Sequence, residues 1–134
     1  MPGIFISLEG PDGSGKSSLT QVLVPKIRAY LNREVIQTRE PGGSPLAEEI
    51  RQLILDTSHQ EMDPKTEALL MAASRRQHLV ETILPKLEAG AVVVSDRYVD
   101  SSLAYQGAGR QLGLEAVWSI NHFAIQSIMP CLLY

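Results

Sequence analysis

One short run limits what this chain can fold into more than any other feature: Gly10-Pro11-Asp12-Gly13-Ser14-Gly15-Lys16-Ser17. Glycine, four residues, glycine, lysine and serine is the spacing of a phosphate-binding loop. The glycines let the backbone curl so that successive N–H groups point inward at phosphate oxygens. A helix that follows adds its positive N-terminal end. The pattern carries that meaning only between a strand and a helix, and both flanks fit. Ile4 to Leu8 is a short apolar, β-branched run that reads as a buried strand. From Lys16 to about Leu31, Leu19, Val22, Leu23, Ile27, Tyr30 and Leu31 recur near helical spacing, with Pro25 expected to kink the helix.

The rest of the chain alternates in the same way. Val35 to Thr38 reads as a second strand, Pro41-Gly42-Gly43-Ser44-Pro45 as a loop, and Leu46 to Leu55 as a helix. The longest periodic stretch runs from about Lys65 to Ala89, with Leu69, Ala73, Val80, Leu84 and Leu87 expected on one buried face. Gly90 is a natural helix stop before a third buried strand, Ala91 to Ser95. A glycine-rich loop over 107–113 precedes a helix from Leu114 to Ile128. Leu132-Leu133-Tyr134 reads as the opening of a fourth strand, left incomplete as if the chain were truncated there.

Strands alternating with helices predict an α/β fold: one domain over residues 1–134, with a mainly parallel sheet and helices on both faces. Ligands of such sheets sit beyond the carboxyl ends of the strands. Residues 10–18, 39–43 and 96–106 are therefore the places to look for chemistry.

Composition narrows the partners. The 134 residues carry a formal charge of −3 without a basic stripe, which argues against nucleic acid as the main partner. Any anion must be held by a local constellation. The single cysteine, Cys131, excludes an intrachain disulfide and reads as a buried thiol. His59, His78 and His122 lack metal-ligand spacing and read as surface or packing residues. The N-terminus shows no basic region, and its apolar run is too short for a signal segment or a membrane span. A cytoplasmic protein without membrane contact is the expectation.

Val94-Ser95-Asp96-Arg97-Tyr98 follows the third strand directly. An aspartate there can hold magnesium through water, and an arginine beside it can clamp a phosphate with forked hydrogen bonds. Arg39, Arg51 and Arg75 supply further guanidinium groups near the ligand end of the sheet. Met71 and Arg75 lie four apart on one helix, so an apolar side chain and a guanidinium share a face that suits a flat base.

Taken in order, Glu9 to Ser17, Thr38-Arg39-Glu40-Pro41-Gly42-Gly43, Ala72-Ala73-Ser74-Arg75-Arg76, and Asp96-Arg97-Tyr98 with Ser101-Ser102-Leu103-Ala104-Tyr105-Gln106-Gly107 resemble bacterial thymidylate kinases, P-loop nucleoside monophosphate kinases, over essentially the whole chain. The resemblance implies a P-loop kinase fold and phosphoryl transfer from Mg-ATP to thymidine monophosphate. Gly10, Pro11, Asp12, Gly13, Ser14, Gly15, Lys16, Ser17 and Ser18 would hold ATP. Ser17 and, through water, Asp96 would serve magnesium.

For the acceptor, the resemblance implies Asp12 on the sugar 3′-hydroxyl, Arg39 and Arg97 on the 5′-phosphate, and Arg75 on the thymine edge. Met71 stands where the family often has a stacking phenylalanine. Ser102 and Gln106 would also face the base, and Tyr105 would crowd the sugar's 2′ position. Arg51 and Leu55 would line the same pocket. Lys16, Arg97 and Asp12 are the implied catalytic residues. A homodimer is implied too, with the helix carrying Trp118 and Phe123 as readily core as interface.

Residues 10–17 contain no arginine. The resemblance therefore places the chain in the branch of the family whose lid supplies catalytic charge, and the lid's sequence is not within these 134 residues. Two other readings compete: a kinase for a different nucleoside or nucleotide, and a non-enzymatic P-loop switch that binds ATP but no free monophosphate.

Overall fold

A computed structural model describes residues 2–10, 15–56, 61–98, 112–126, 128–130 and 132–133. Its elements run β1 (Ile4–Leu8), α1 (Lys16–Leu31), β2 (Val35–Arg39), α2 (Pro45–Leu55) and α3 (Pro64–His78). A π-helical turn, Leu79–Ile83, joins α3 to α4 (Leu84–Glu88). Then come β3 (Val92–Asp96), α5 (Leu114–Ile125) and β4 (Leu132–Leu133).

The strands form one sheet in the order β2-β3-β1-β4, and every pairing is parallel. Successive side chains of each strand point to opposite faces, so each strand feeds two cores. Phe5 and Val93, with Ile36 half-buried, pack against Ala72, Leu79 and Ile83 on one side and Ala124 and Ile125 of α5. On the other face Ile6, Leu8, Val35, Val92 and Val94 pack against Val24 of α1, with Leu19 and Ile27 beside it. The expected α/β sandwich with helices on both faces is what forms.

Strand order also fixes where a ligand can sit. From β1 the chain crosses to β2 on one side, whereas from β3 it crosses to β4 on the other. The switch therefore lies between β1 and β3, the place where an open parallel sheet leaves a crevice at its carboxyl edge. Register puts Leu8, Asp96 and Arg39 level at that edge.

Two expectations about helix faces need correction. In the stretch from residue 65 to 89, Leu69 and Val80 are 55% and 44% exposed, and the core face is instead Ala68, Ala72, Arg75, Leu79 and Ile83. The π turn is the reason. There the Leu84 N–H reaches Leu79 O, five residues back, so residues before and after the turn do not share one straight stripe. Pro85 follows at once and has no N–H to give the ladder. In α1, Val24 is buried while Val22 and Tyr30 face solvent, and the helix continues through Pro25. The last described helix ends at Ile125 rather than Ile128, closed by Gln126 in a left-handed conformation. Cys131 and His59 lie outside the described residues. Among the described residues, no helix is long and apolar enough to cross a membrane.

Candidate functional site

Three backbone segments leave the carboxyl edge of the sheet and stay tied to one another. The Arg97 N–H donates to Leu8 O at 2.8 Å, and the Glu40 N–H donates to Asp96 O at 2.9 Å. The ends of β1, β2 and β3 are thereby held as one platform. Arg97 adopts φ 73°, a left-handed conformation that costs a non-glycine residue energy and recurs at functional positions. Ser95 Oγ donates to Arg97 O at 2.8 Å and supports that bend.

Lys16 opens α1 behind Gly15, whose φ of 93° needs glycine. The first turn of this helix contains no acidic side chain of its own to offset its positive end. Lys16 Nζ lies 2.8 Å from Asp96 Oδ1, with the lysine side chain only 10% exposed. The lysine of the phosphate-binding loop and the aspartate after β3 therefore meet at the switch point.

A cavity of about 780 Å³ opens beside them, lined by Ser17, Thr20 and Gln21 of α1, Gln37, Thr38 and Arg39 of β2, Gly43, Ser44, Pro45 and Glu48, and Val94 and Asp96 of β3. Arg39 is half exposed at its rim, its Nη2 held 3.2 and 3.3 Å from the two Glu48 carboxylate oxygens. Glu48 Oε1 also accepts from the Gly43 N–H at 3.1 Å. That backbone bond, and then Arg39, hold the Glu48 carboxyl below its ordinary value of 4.5 against the opposing effect of burial.

A folded-state value below the unfolded one means that this group adds stability above about pH 4.5 and loses it as pH falls through the lowered value. Between about pH 6 and about pH 3, the melting temperature of Glu48→Gln should therefore fall less than that of the wild type. Parallel acid-unfolding curves for the two proteins would contradict the Gly43–Glu48–Arg39 arrangement.

Beneath the cavity lies a buried polar network. Glu40 accepts from Arg75 Nε through one carboxylate oxygen and from His78 Nδ1, at 2.9 Å, through the other. Arg75 also donates to Asn121 Oδ1 and, at 3.1 Å, to Tyr98 O. Its guanidinium stacks on the Tyr98 ring at 5.6 Å. Burial, reinforced by the Glu40 charge, pushes the Tyr98 phenol well above its usual range, and its hydroxyl donates to Ile128 O at 2.8 Å.

The structure thus brings Ser17, Arg39 and Asp96 onto one cavity, with Lys16 joined to Asp96. Gly10 follows β1, Gly15 caps α1 and Ser18 lies in its first turn, none of them lining the cavity, and Arg97 sits one residue beyond Asp96. Arg51, Leu55, Met71 and Arg75 do not line it: Arg75 is 1% exposed in the core, Leu55 is 52% exposed, and Arg51 and Met71 are half-buried. Pro11, Asp12, Gly13, Ser14, Ser102, Tyr105 and Gln106 lie outside the described residues. Sequence reasoning passed over Glu48, Glu40, Thr38 and His78. A carboxylate in the first turn of α2 was the available signal for Glu48. For His78 it was the polar spacing of Ser74, His78 and Thr82.

The family model described as thymidylate kinase matches residues 8–134. The chain belongs to the thymidylate kinase family. Thymidylate kinase of Leuconostoc citreum is 55% identical over 127 residues, an alignment covering 95% of this chain and 59% of that protein. That of Enterococcus faecalis is 56% identical over 130 residues, covering 97% and 61%. The crystal structure of thymidylate kinase from Ehrlichia chaffeensis superposes with a TM-score of 0.87 at 35% identity, covering 99% of this chain and 74% of that one. The chain spans about three-fifths of the length of these curated relatives. As a member of the family it shares the parallel sheet and helical layers of the Ehrlichia protein across almost all of its residues.

Proposed function

We propose that this chain carries the nucleotide sites of an enzyme that transfers the γ-phosphate of Mg-ATP to thymidine monophosphate, giving ADP and thymidine diphosphate. The observation that carries the reading is the meeting of Lys16 and Asp96 at the sheet's switch point, on a cavity edged by Arg39, in a chain of this family.

The protein has little covalent chemistry to do; it aligns the attacking phosphate oxygen with the γ-phosphate and offsets developing charge. Lys16 and the amides of residues 10–18 hold the donor phosphates. Arg39, oriented by Glu48, and Arg97, fixed by its own strained backbone, hold the acceptor phosphate. Asp12 meets the sugar 3′-hydroxyl. Met71, Ser102, Tyr105 and Gln106, with Arg51 and Leu55 at the margin, form the base and sugar end, and Arg75, 1% exposed, supports that end from the core through Glu40, Asn121 and Tyr98. Ser17 and Asp96 are hard oxygen donors on one cavity and fit a magnesium ion, which usually takes one or two protein oxygens beside phosphate and water. When bound, the ion would supply positive charge against that of the donor phosphates.

Exposed Leu53 on α2, Leu69 on α3 and Phe123 on α5 lie on helices that pack side by side, α2 on α3 and α3 on α5. They support a homodimer formed through this face. A lone cysteine fits the reducing cytoplasm.

Transfer of γ-labelled phosphate to thymidine monophosphate, and not to uridine, adenosine or guanosine monophosphate, is the direct test. Label appearing on another monophosphate instead would replace thymidine as the acceptor. Arg97→Ala should weaken thymidine monophosphate binding by about 1.5–3 kcal/mol, the worth of a charge-assisted hydrogen bond, while leaving ATP affinity in place. An unchanged acceptor affinity would remove Arg97 from the phosphate site.

A further inference from the structure

We propose that His78 is a positioning residue for the acceptor-phosphate loop, locking residues 38–43 between Thr38 on one side of its ring and Glu40 on the other. The inference rests on the reading of that loop as the holder of the acceptor phosphate. His78 itself lies off the cavity wall and is fully buried.

Its ring joins the cavity wall to the core network. Nε2 is 2.6 Å from Thr38 Oγ1, and Thr38 lines the cavity next to Arg39. Nδ1 faces Glu40 Oε2 at 2.9 Å, while the other Glu40 oxygen takes Arg75 Nε. A carboxylate only accepts, so Nδ1 carries the proton; in the neutral ring Nε2 then accepts the Thr38 hydroxyl hydrogen. Both neighbours of Arg39 in sequence are thus pinned by one imidazole, and Arg39 between them is left to face the rim.

The same helix face grips the rest of the loop. Ser74, four residues before His78, accepts the Gly42 N–H at 3.1 Å. Thr82, four residues after, donates to Gly43 O at 3.0 Å. All three side chains reach the same loop, so Ser74, His78 and Thr82 form a polar seam along it. The fit is close: a Cβ added at Gly43, which sits at φ 93°, would collide with the His78 ring and come within 2.7 Å of Thr38 Oγ1. The loop therefore takes its position from the ring.

Four single variants and one double variant of the full chain decide the matter, read by calorimetric affinity for thymidine monophosphate and for Mg-ATP, with melting temperature alongside. His78→Asn keeps a donor near the Nδ1 position but drops Thr38, whereas His78→Gln reaches the Nε2 position. Thr38→Val removes only the hydroxyl, and Thr38→Ser restores it. The expected result is an acceptor affinity about tenfold weaker in His78→Asn and in Thr38→Val, near the upper end for one hydrogen bond. ATP affinity should stay within about twofold, and His78→Gln and Thr38→Ser should recover most of the loss.

The double variant His78→Asn/Thr38→Val should bind no more weakly than either single one, because both act through one bond. Additive losses would overturn the proposal, since Thr38 would then be acting on the ligand by itself. So would a lowered melting temperature with unchanged acceptor affinity, the signature of packing alone. Should the His78 variants fail to fold, wild-type acceptor affinity in Thr38→Val would overturn it equally well. A wild-type chain that binds ATP but no thymidine monophosphate would instead overturn the substrate reading, a failure visible before any variant is made.

Discussion

Replacing Arg75 by alanine is expected to destabilise the fold by about 3–5 kcal/mol, the usual cost of breaking a buried ion pair from one side. Arg75 and Glu40 are each only 1% exposed at the side chain, so neither charge is relieved by water. Without the guanidinium, the Glu40 carboxylate keeps only His78 among the described residues, and Asn121 Oδ1 and Tyr98 O each lose a donor. The stacking of Arg75 on Tyr98 is lost too, and with it a cavity opens beside Phe5, whose ring meets Tyr98 edge-on at 4.9 Å. Chemical denaturation at neutral pH reads the loss directly. The double replacement Arg75→Met with Glu40→Gln should recover part of it, because the stranded charge is gone. A loss below about 1 kcal/mol for Arg75→Ala would show that the pair is not buried as described.

Lys16→Ala should leave stability nearly unchanged and lower turnover by a factor on the order of 10²–10³, as removal of a single charge-stabilising donor does. The contrast follows from exposure. Asp96, the partner of Lys16, is 47% exposed and can be solvated when the lysine is gone, so little folding free energy is at stake. In the proposed reaction the same ammonium would face charge building on the transferring phosphate. Steady-state rates at saturating Mg-ATP and thymidine monophosphate, with melting temperatures alongside, test both halves. Wild-type turnover in Lys16→Ala would remove the lysine from the chemistry.

How far the chain could be read in advance depended on how local the signal was. β1 and α1 begin and end where expected, and β2 and β3 are displaced by a residue at most at either end. A continuous β-branched run bounded by glycine leaves little choice. The face of α3 was misread because a π turn, which no period-3.6 template contains, changes the phase between Ala72 and Ile83.

Strand alternation placed Lys16 and Asp96 both at the carboxyl edge of the sheet, but their contact depends on the pairing of β1 with β3, which no local pattern states. The Glu40–Arg75 and Thr38–His78 contacts were not legible either. Their partners are 35 and 40 residues apart, and nothing in a local pattern says that a histidine read as a packing residue joins a loop to a helix. Leu69, placed with the helix's apolar face by its spacing, stays outside because the sheet is already covered by Ala68, Ala72 and Leu79.

Calorimetric titration of the folded chain with thymidine, uridine, adenosine and guanosine monophosphates tests the central claim most directly. Saturable binding of thymidine monophosphate, at least about tenfold tighter than the other three and weakened in Arg39→Ala, is the predicted result. Equal binding of all four, or binding of none by a chain that still binds Mg-ATP, would contradict it.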